Sequence, residues 1–311
     1  LKRNKPLNKF ELKPISIQQF RETMKKVKNK KGHGFDLMDS YSLKLALPLI
    51  EDVLLHLVNL SIKNGDFASI WKIQLVKPLF KKKDPLEGKN YRPVSHLIEV
   101  SKIVEYVIHE QVYNHFTNEN LFHENHHGFL GQHSTATALI QLYDMWLRAM
   151  EDKELSAALL LDLSAAFDVV DHTILLNKLR VYNFSEQSIN WFQSYLNNRK
   201  QYVQVETKIS DPENLEDFGV PQGSVLGPLL FLIFINDLPH ATNLFTLLFA
   251  DDTTFQTSSN DLPSLFEVAN VEIEKASDWF KANKLTLNIS KTKYMLSVSY
   301  THLTLPTTRY V

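Results

Sequence analysis

Two apolar runs that each end on aspartate constrain this chain more than any other feature. Leu155 to Leu161 is almost unbroken and stops at Asp162, and Leu244 to Ala250 stops at Asp251 and Asp252. Apolar runs of this length suit central strands buried on both faces. Adjacent strands lie about 4.8 Å apart, so the pattern predicts Asp162 and Asp251 facing each other across one gap, with Asp252 beside them. Carboxylates gathered in an apolar setting are unfavourable unless a cation neutralises them or one takes up a proton. Magnesium answers that need with oxygen ligands at about 2.1 Å, and it keeps positions open for water and substrate phosphates. Two such ions roughly 3.5–4 Å apart would hold the attacking and leaving oxygens of an in-line phosphoryl displacement. A single Asp closing a strand is a common turn residue. One Asp and an Asp-Asp pair after two such strands point to chemistry instead.

The charge is unevenly spread. Residues 1–100 carry 20 Lys and Arg against 10 Asp and Glu, and the other 211 carry 14 against 25, although the whole chain nets only −1. A basic beginning and an acidic remainder imply a polyanionic partner on one side and acidic residues with another task on the other. Two solvated faces of opposite sign are the plainer alternative. Apolar residues at 44% and charged residues at 22% exclude a disordered chain or a fibre. The lack of cysteine excludes disulfides, thiolate zinc sites and cysteine nucleophiles, and fits a reducing compartment. The longest apolar stretch, Val225 to Ile235, is broken by Gly227 and Pro228 and is too short for roughly 30 Å of hydrocarbon, so no membrane association is expected. No signal-peptide pattern opens the chain, and without an initiator Met it reads as a fragment or an excised domain.

Periodicity places the remaining elements. Leu43, Leu47, Ile50, Leu54, Leu57 and Leu60 make a helical stripe ending near Gly65. Ile73 to Leu79 reads as a strand followed by a turn at Lys81 to Pro85. Helices are predicted over 94–116, 135–150, 173–181, 186–196, 226–237 and 262–282, and Gln201 to Val205 alternates like an exposed hairpin strand. The order β-α-α-β-α-β-β-α-β predicts an α+β fold with helices packed on one face of a sheet. His123, His126 and His127 cluster, but without a fourth ligand they read as solvent-facing or helix-capping histidines. Trp71, Trp146, Trp191 and Trp279 are scattered and read as packing residues, a base-stacking role being the alternative.

Several segments carry a family resemblance. Phe249-Ala250-Asp251-Asp252 resembles the aromatic-x-Asp-Asp signature of reverse transcriptases, and Leu161-Asp162-Leu163-Ser164-Ala165-Ala166-Phe167-Asp168 resembles their first catalytic motif. Gly219 to Pro228 resembles the intervening motif that closes on the incoming nucleotide. Asn90-Tyr91-Arg92-Pro93-Val94-Ser95 is similar to the fingers motif, and Asn283-Lys284-Leu285 through Asn288, Lys291 and Thr292 to the last palm motif. They occur in the family's order and cover about residues 30 to 298. The Asn-Tyr-Arg-Pro-Val-Ser run and Phe167-Asp168-Val169-Val170-Asp171-His172 resemble the non-LTR retrotransposon enzymes in particular.

The resemblance implies an α+β right-hand polymerase with an antiparallel palm sheet: fingers over residues 1–150, palm over 151–298. It implies that Asp162 and Asp251 bind two magnesium ions, manganese being a substitute, with Asp252 completing the set and the Leu163 carbonyl touching the nucleotide-bound ion. Phe167 falls at the steric gate that crowds a 2′-hydroxyl. Arg92, with Lys81 and Lys82, would clamp the triphosphate, since Arg grips phosphate with two donors and Lys acts as a point charge. Gln222 would contact the incoming nucleotide, and Lys291 would protonate the departing pyrophosphate. Implied partners are an RNA template, a DNA primer and deoxynucleoside triphosphates, in a cytoplasmic ribonucleoprotein and the nucleus.

Some features depart from the family. The loop Gly128 to Thr135 lacks its relatives' basic residues, and Gly32-His33-Gly34-Phe35-Asp36 is an altered glycine-rich entry to the fingers. The chain stops soon after the last palm motif, so thumb and endonuclease are expected to be absent, and residues 299–311 read as a tail outside the fold. Two other readings stand beside the polymerase: a truncated relic that folds and binds RNA without polymerising, and a magnesium phosphohydrolase using the same three carboxylates.

Overall fold

The computed structural model describes residues 8–29, 31–82, 84–297 and 309–310. In chain order the elements are α1 (Ile17–Lys26), α2 (Ser40–Asn64), β1 (Ile73–Phe80), β2 (Tyr91–Leu97), α3 (Glu99–Asn118), α4 (Thr135–Glu151), β3 (Leu155–Leu161), α5 (His172–Val181) and α6 (Glu186–Leu196). There follow β4 (Lys200–Val205), β5 (Lys208–Ile209), β6 (Glu213–Asn214), α7 (Leu226–Ile235), β7 (Phe245–Phe249), β8 (Asp252–Ser259), α8 (Leu262–Ala282), β9 (Lys293–Ser297) and β10 (Arg309–Tyr310). The class is α+β, as predicted. The described residues form two compact units, one over residues 8–119 and 172–230, the other over residues 120–171 and 231–310.

In the first unit the Asp39 side chain caps α2 by accepting from the Ser42 amide, and the helix stops at Gly65. Leu43, Leu54, Val58 and Ile62 bury one side of α2, which packs on α1, α3 and α6. The other side exposes Tyr41, Leu45, Leu49 and Val53. By length and composition alone α2 could cross a membrane, although charged residues punctuate its apolar run. Phe67 stands edge-on to Trp71, Trp191 and Tyr195 with ring centroids 5.1–5.6 Å apart, forming an aromatic core. Trp71 and Trp191 are therefore packing residues.

The predicted helix over 94–116 is corrected at its start. Residues 91–97 form β2, antiparallel to β1, and the helix begins at Glu99. Pro93 sits opposite Pro78, a pairing in which neither residue has an N–H to give, on a strand at the edge of its sheet. β4 runs parallel to β1 and turns back as a hairpin with β5, as its alternation predicted.

The second unit holds the sheet β10-β9-β3-β8-β7, in which every pairing is antiparallel. Helix α8 packs on β8 and β3, and α4 on β3 and β7. β3 is not buried on both faces as its apolar run implied: Ala158 and Leu161 are buried, while Leu160 is 45% exposed. An antiparallel strand with one covered face tolerates that alternation even when every residue is apolar. β3 and β7 are also not neighbours, because β8 lies between them. Helix α7 is apolar all round and almost wholly buried, Phe231 to Ile235 being no more than 1% exposed. Of the expected tail, Arg309 and Tyr310 pair with Tyr294 and Lys293, so part of it joins the sheet; residues 298–308 and 311 lie outside the described residues.

Candidate active site

The three aspartates come together at one end of the antiparallel sheet. Leu161 pairs with Thr253, so Asp162, one residue beyond the end of β3, comes level with Asp252 at the start of β8. Phe249 pairs with Asp252, leaving Ala250 and Asp251 as the turn between β7 and β8. Because β8 intervenes, the partner of Asp162 across the strand gap is Asp252, and Asp251 projects from the adjoining turn.

That turn is strained and braced. Ala250 has φ +58°, the left-handed region that disfavours a side chain. The segment before Gly128 runs alongside β7: the His127 amide donates to Leu248 O at 2.7 Å, and the Leu248 amide donates to Asn125 O at 3.0 Å. Gly128 then passes under the turn, where a Cβ would fall inside contact distance of Ala250 N and 2.9 Å from the Phe249 carbonyl carbon. The His127 ring is held by Thr137 Oγ1 at 2.9 Å and Gln141 Oε1 at 2.7 Å, and Gln141 donates to Asn125 at 2.7 Å. Sequence reasoning noted only that the loop Gly128 to Thr135 lacks its relatives' basic residues; the close backbone approach of Gly128 is a tertiary fact that no local pattern carries.

The last sequence motif locks the first in place. The Asn288 amide donates to Asp162 O at 2.8 Å and the Ser164 amide to Thr286 O at 2.9 Å, so Leu163 and Leu287 face each other. Lys291 Nζ lies 2.9 Å from Asp162 Oδ2, an ion pair that lacks hydrogen-bond geometry. Asp162 Oδ2 is buried and carries no hydrogen bond. The Asp252 carboxyl is pushed up from its ordinary value, first by partial burial and then by Asp251 and Asp162, while Lys291 pulls it back. Among the described residues no three His, Asp or Glu side chains are gathered at metal-ligating spacing. The carboxylates share a sheet end without being drawn into a closed cluster.

Phe167 lies in a helical turn over Ala166–Val169, half-buried, its ring 4.6 Å from that of Phe231. The histidine cluster binds no common partner: His126 is fully buried with neither ring nitrogen hydrogen-bonded, and burial, reinforced by His123, His127 and His133, holds it down to about 3.

Lys81, Lys82, Arg92 and Gln222 belong to the other unit. The Lys81 amide donates to Asn90 O at 2.9 Å and Arg92 pairs with Leu79, so the three cations are exposed at one end of the β1–β2 hairpin. Gln222 is half-buried in the turn before α7. Gly223, at φ +74°, presses that turn against β2, where a Cβ would lie 2.9 Å from Ser95 O. Sequence reasoning passed over Glu105, a charge inside the apolar stripe of α3, which is fully buried beneath the same turn.

Residues 80–305 match the sequence family described as "Reverse transcriptase (RNA-dependent DNA polymerase)". The chain is 32% identical over 291 residues to the probable RNA-directed DNA polymerase from transposon BS of Drosophila melanogaster, covering 90% of this chain and 32% of that protein. It is 30% identical over 295 residues to the RNA-directed DNA polymerase from mobile element jockey of Drosophila funebris, covering 89% and 31%. To the probable RNA-directed DNA polymerase from transposon X-element of Drosophila melanogaster it is 31% identical over 241 residues, covering 77% and 26%. The chain thus spans about a third of the length of the curated relatives it matches.

Proposed function

Because the chain belongs to the reverse transcriptase family, as a domain of the non-LTR retrotransposon kind, we propose that it is a polymerase core adding deoxynucleotides to a primer 3′-hydroxyl along an RNA template. The observation that carries this reading is the shared sheet end, with Asp162 and Asp252 level on neighbouring strands and Asp251 in the adjoining turn. With fingers over residues 1–150 and palm over 151–298, the strands that carry the aspartates lie in the palm and the β1–β2 hairpin in the fingers.

Divalent ions suit these donors: Asp162 Oδ2 is buried without a hydrogen bond, and Asp252 is destabilised as an anion by burial and by its two neighbours. Asp162, Asp251, Asp252 and the Leu163 carbonyl would hold two magnesium ions, or manganese in their place. When bound, such ions neutralise charge on the transferring phosphoryl group and ease deprotonation of the attacking hydroxyl. The chain's own residues supply position and counter-charge. Lys291, ion-paired with Asp162, offsets the carboxylates and is the candidate proton donor to pyrophosphate. The Phe167 ring, backed by Phe231, narrows the sugar site in favour of deoxyribose. Arg92, with Lys81 and Lys82, takes the triphosphate oxygens, and Gln222 meets the incoming nucleotide.

Primer extension on poly-rA/oligo-dT with magnesium tests the reading. The chain should extend the primer, and Asp251→Asn should lower the rate at least about a hundredfold, the scale of losing an electrostatic partner of the transition state. RNA binding without extension, unchanged by Asp251→Asn, would mark a folded relic. Nucleotide hydrolysis without templated extension would mark a phosphohydrolase.

A further inference from the structure

A buried carboxylate stands under the turn that carries Gln222, in a place where packing alone would favour a hydrocarbon. Glu105 lies among Ile103, Val104, Val107 and Ile108 on α3 and is fully buried. Its Oε2 accepts from the Val225 amide at 2.6 Å, just before α7, and from the Leu226 amide at 3.2 Å, the first of α7. Arg199, 3% exposed, is buried too, its guanidinium 5.2 Å over the Tyr195 ring and its Nη1 donating to Tyr195 O at 3.0 Å. Burial pushes the Glu105 carboxyl up, and Arg199 and the two amides oppose that push.

The start of α7 has a local cap already: Ser224 Oγ accepts from the Gly227 amide at 2.8 Å. Helix formation therefore does not call for Glu105. What Glu105 adds is a tether, because it ties amides 120 and 121 positions away in the chain to α3. The other end of the same motif is tied too, His172 Nε2 lying 2.7 Å from Gly219 O. Between the two ties sit Pro221, Gln222 and Gly223, with Gly223 against Ser95 of β2. A carboxyl held in a core where packing alone favours hydrocarbon fits a place where position matters more than stability.

We infer that Glu105 is a positioning residue for the Pro221–Ser224 turn, and that it sets the affinity for the incoming deoxynucleotide rather than the rate of the chemical step. The inference rests on the polymerase reading and on Gln222 meeting the nucleotide.

The test measures kcat and KM for dTTP in primer extension on poly-rA/oligo-dT, with melting curves for each variant. Glu105→Ala leaves both amides without their acceptor and should raise KM for dTTP about tenfold, the equivalent of about 1.4 kcal/mol, with kcat within about threefold of wild type and KM for primer–template unchanged. Glu105→Gln keeps a carbonyl acceptor and should recover most of the loss; it also carries the test if the Ala variant does not fold. Gln and Ala variants that melt lower but keep the wild-type KM for dTTP would overturn the positioning role and leave a purely structural cluster. A fall in kcat alone would overturn it as well. Wild-type protein that extends no primer would overturn the polymerase reading and this inference together.

Discussion

Asp252 and Glu272 stand in the same unit and are pushed in opposite directions. Asp252 meets two other carboxylates and one ammonium, and its carboxyl rises. Glu272, on α8, accepts from the Asn243 amide at 2.6 Å, Asn243 Nδ2 at 3.0 Å, Thr242 Oγ1 at 3.0 Å and Lys275 Nζ at 2.6 Å. Those donors, the Asn243 amide first, hold it down to about 2. The difference separates an acid that fastens loop to helix from an acid left short of donors. Surplus negative charge at the end of a strand is a cost that only a cationic ligand or a proton repays, so the under-served carboxylate is the one that points to chemistry.

The comparison breaks most visibly at Gly128. Adding a methyl there drives a Cβ into the Phe249–Ala250 backbone, displacing Asp251 and Asp252 while leaving the donors of Glu272 untouched. Gly128→Ala should lower the extension rate tenfold or more, roughly the scale that a misplacement near 1 Å produces, with a smaller change in melting temperature than in activity. A variant at wild-type rate would show that the turn does not depend on this brace.

Glu272→Ala is the mirror experiment. It removes the shared acceptor of the Thr242 and Asn243 groups and should cost about 2–3 kcal/mol in urea unfolding, with extension per folded molecule unchanged. Glu272→Gln sharpens the point through pH. A carboxyl whose folded value is depressed contributes stability in full above its ordinary value near 4.5, and that contribution fades as pH falls toward about 2. The Gln variant should therefore lose stability at neutral pH and show a shallower acid limb between those values.

His126 extends the same logic to a base. Its folded value, depressed by burial to about 3, means that the native state refuses a proton that the unfolded chain accepts below about 6.5. Its contribution is complete above about 6.5 and is lost progressively as pH falls toward 3. Since neither ring nitrogen has a hydrogen bond, His126→Phe should raise stability at pH 7 by about 1 kcal/mol and flatten the unfolding profile between pH 6.5 and 3. An unchanged profile would mean that another group governs that limb.

Much of this layout was legible in the chain, and the failures have physical causes. Helices α6 and α8 fell where their periodicity put them, and β3 and β7 within a residue of their apolar runs, because those signals are local. Residues 94–97 of the strand were misread as helix because Val94 and Leu97 continue the apolar spacing of α3, while the pairing with β1 that decides the matter is non-local. The order of β3, β8 and β7 was misjudged for the same reason: two apolar runs say which strands are buried, not which strand divides them. The three aspartates stood out because acids end those runs; Glu105 did not, because one charge inside an apolar helix stripe announces no partner until Val225 and Leu226 are brought to it.

The smallest effect expected concerns Ala250, where two penalties nearly cancel. At φ +58° an alanine costs about 1–2 kcal/mol that glycine does not, but glycine gives the unfolded chain about 0.5–1 kcal/mol more entropy to lose. Ala250→Gly should therefore change stability by no more than about 1 kcal/mol. A branched side chain gains no such offset and adds crowding at Cβ, so Ala250→Val should cost more than the glycine variant gains. Chemical denaturation of the pair reads the difference directly. A Val variant as stable as wild type would show that the turn can relax out of the left-handed region, and with it the fixed projection of Asp251 that sets this end of the sheet apart from Glu272.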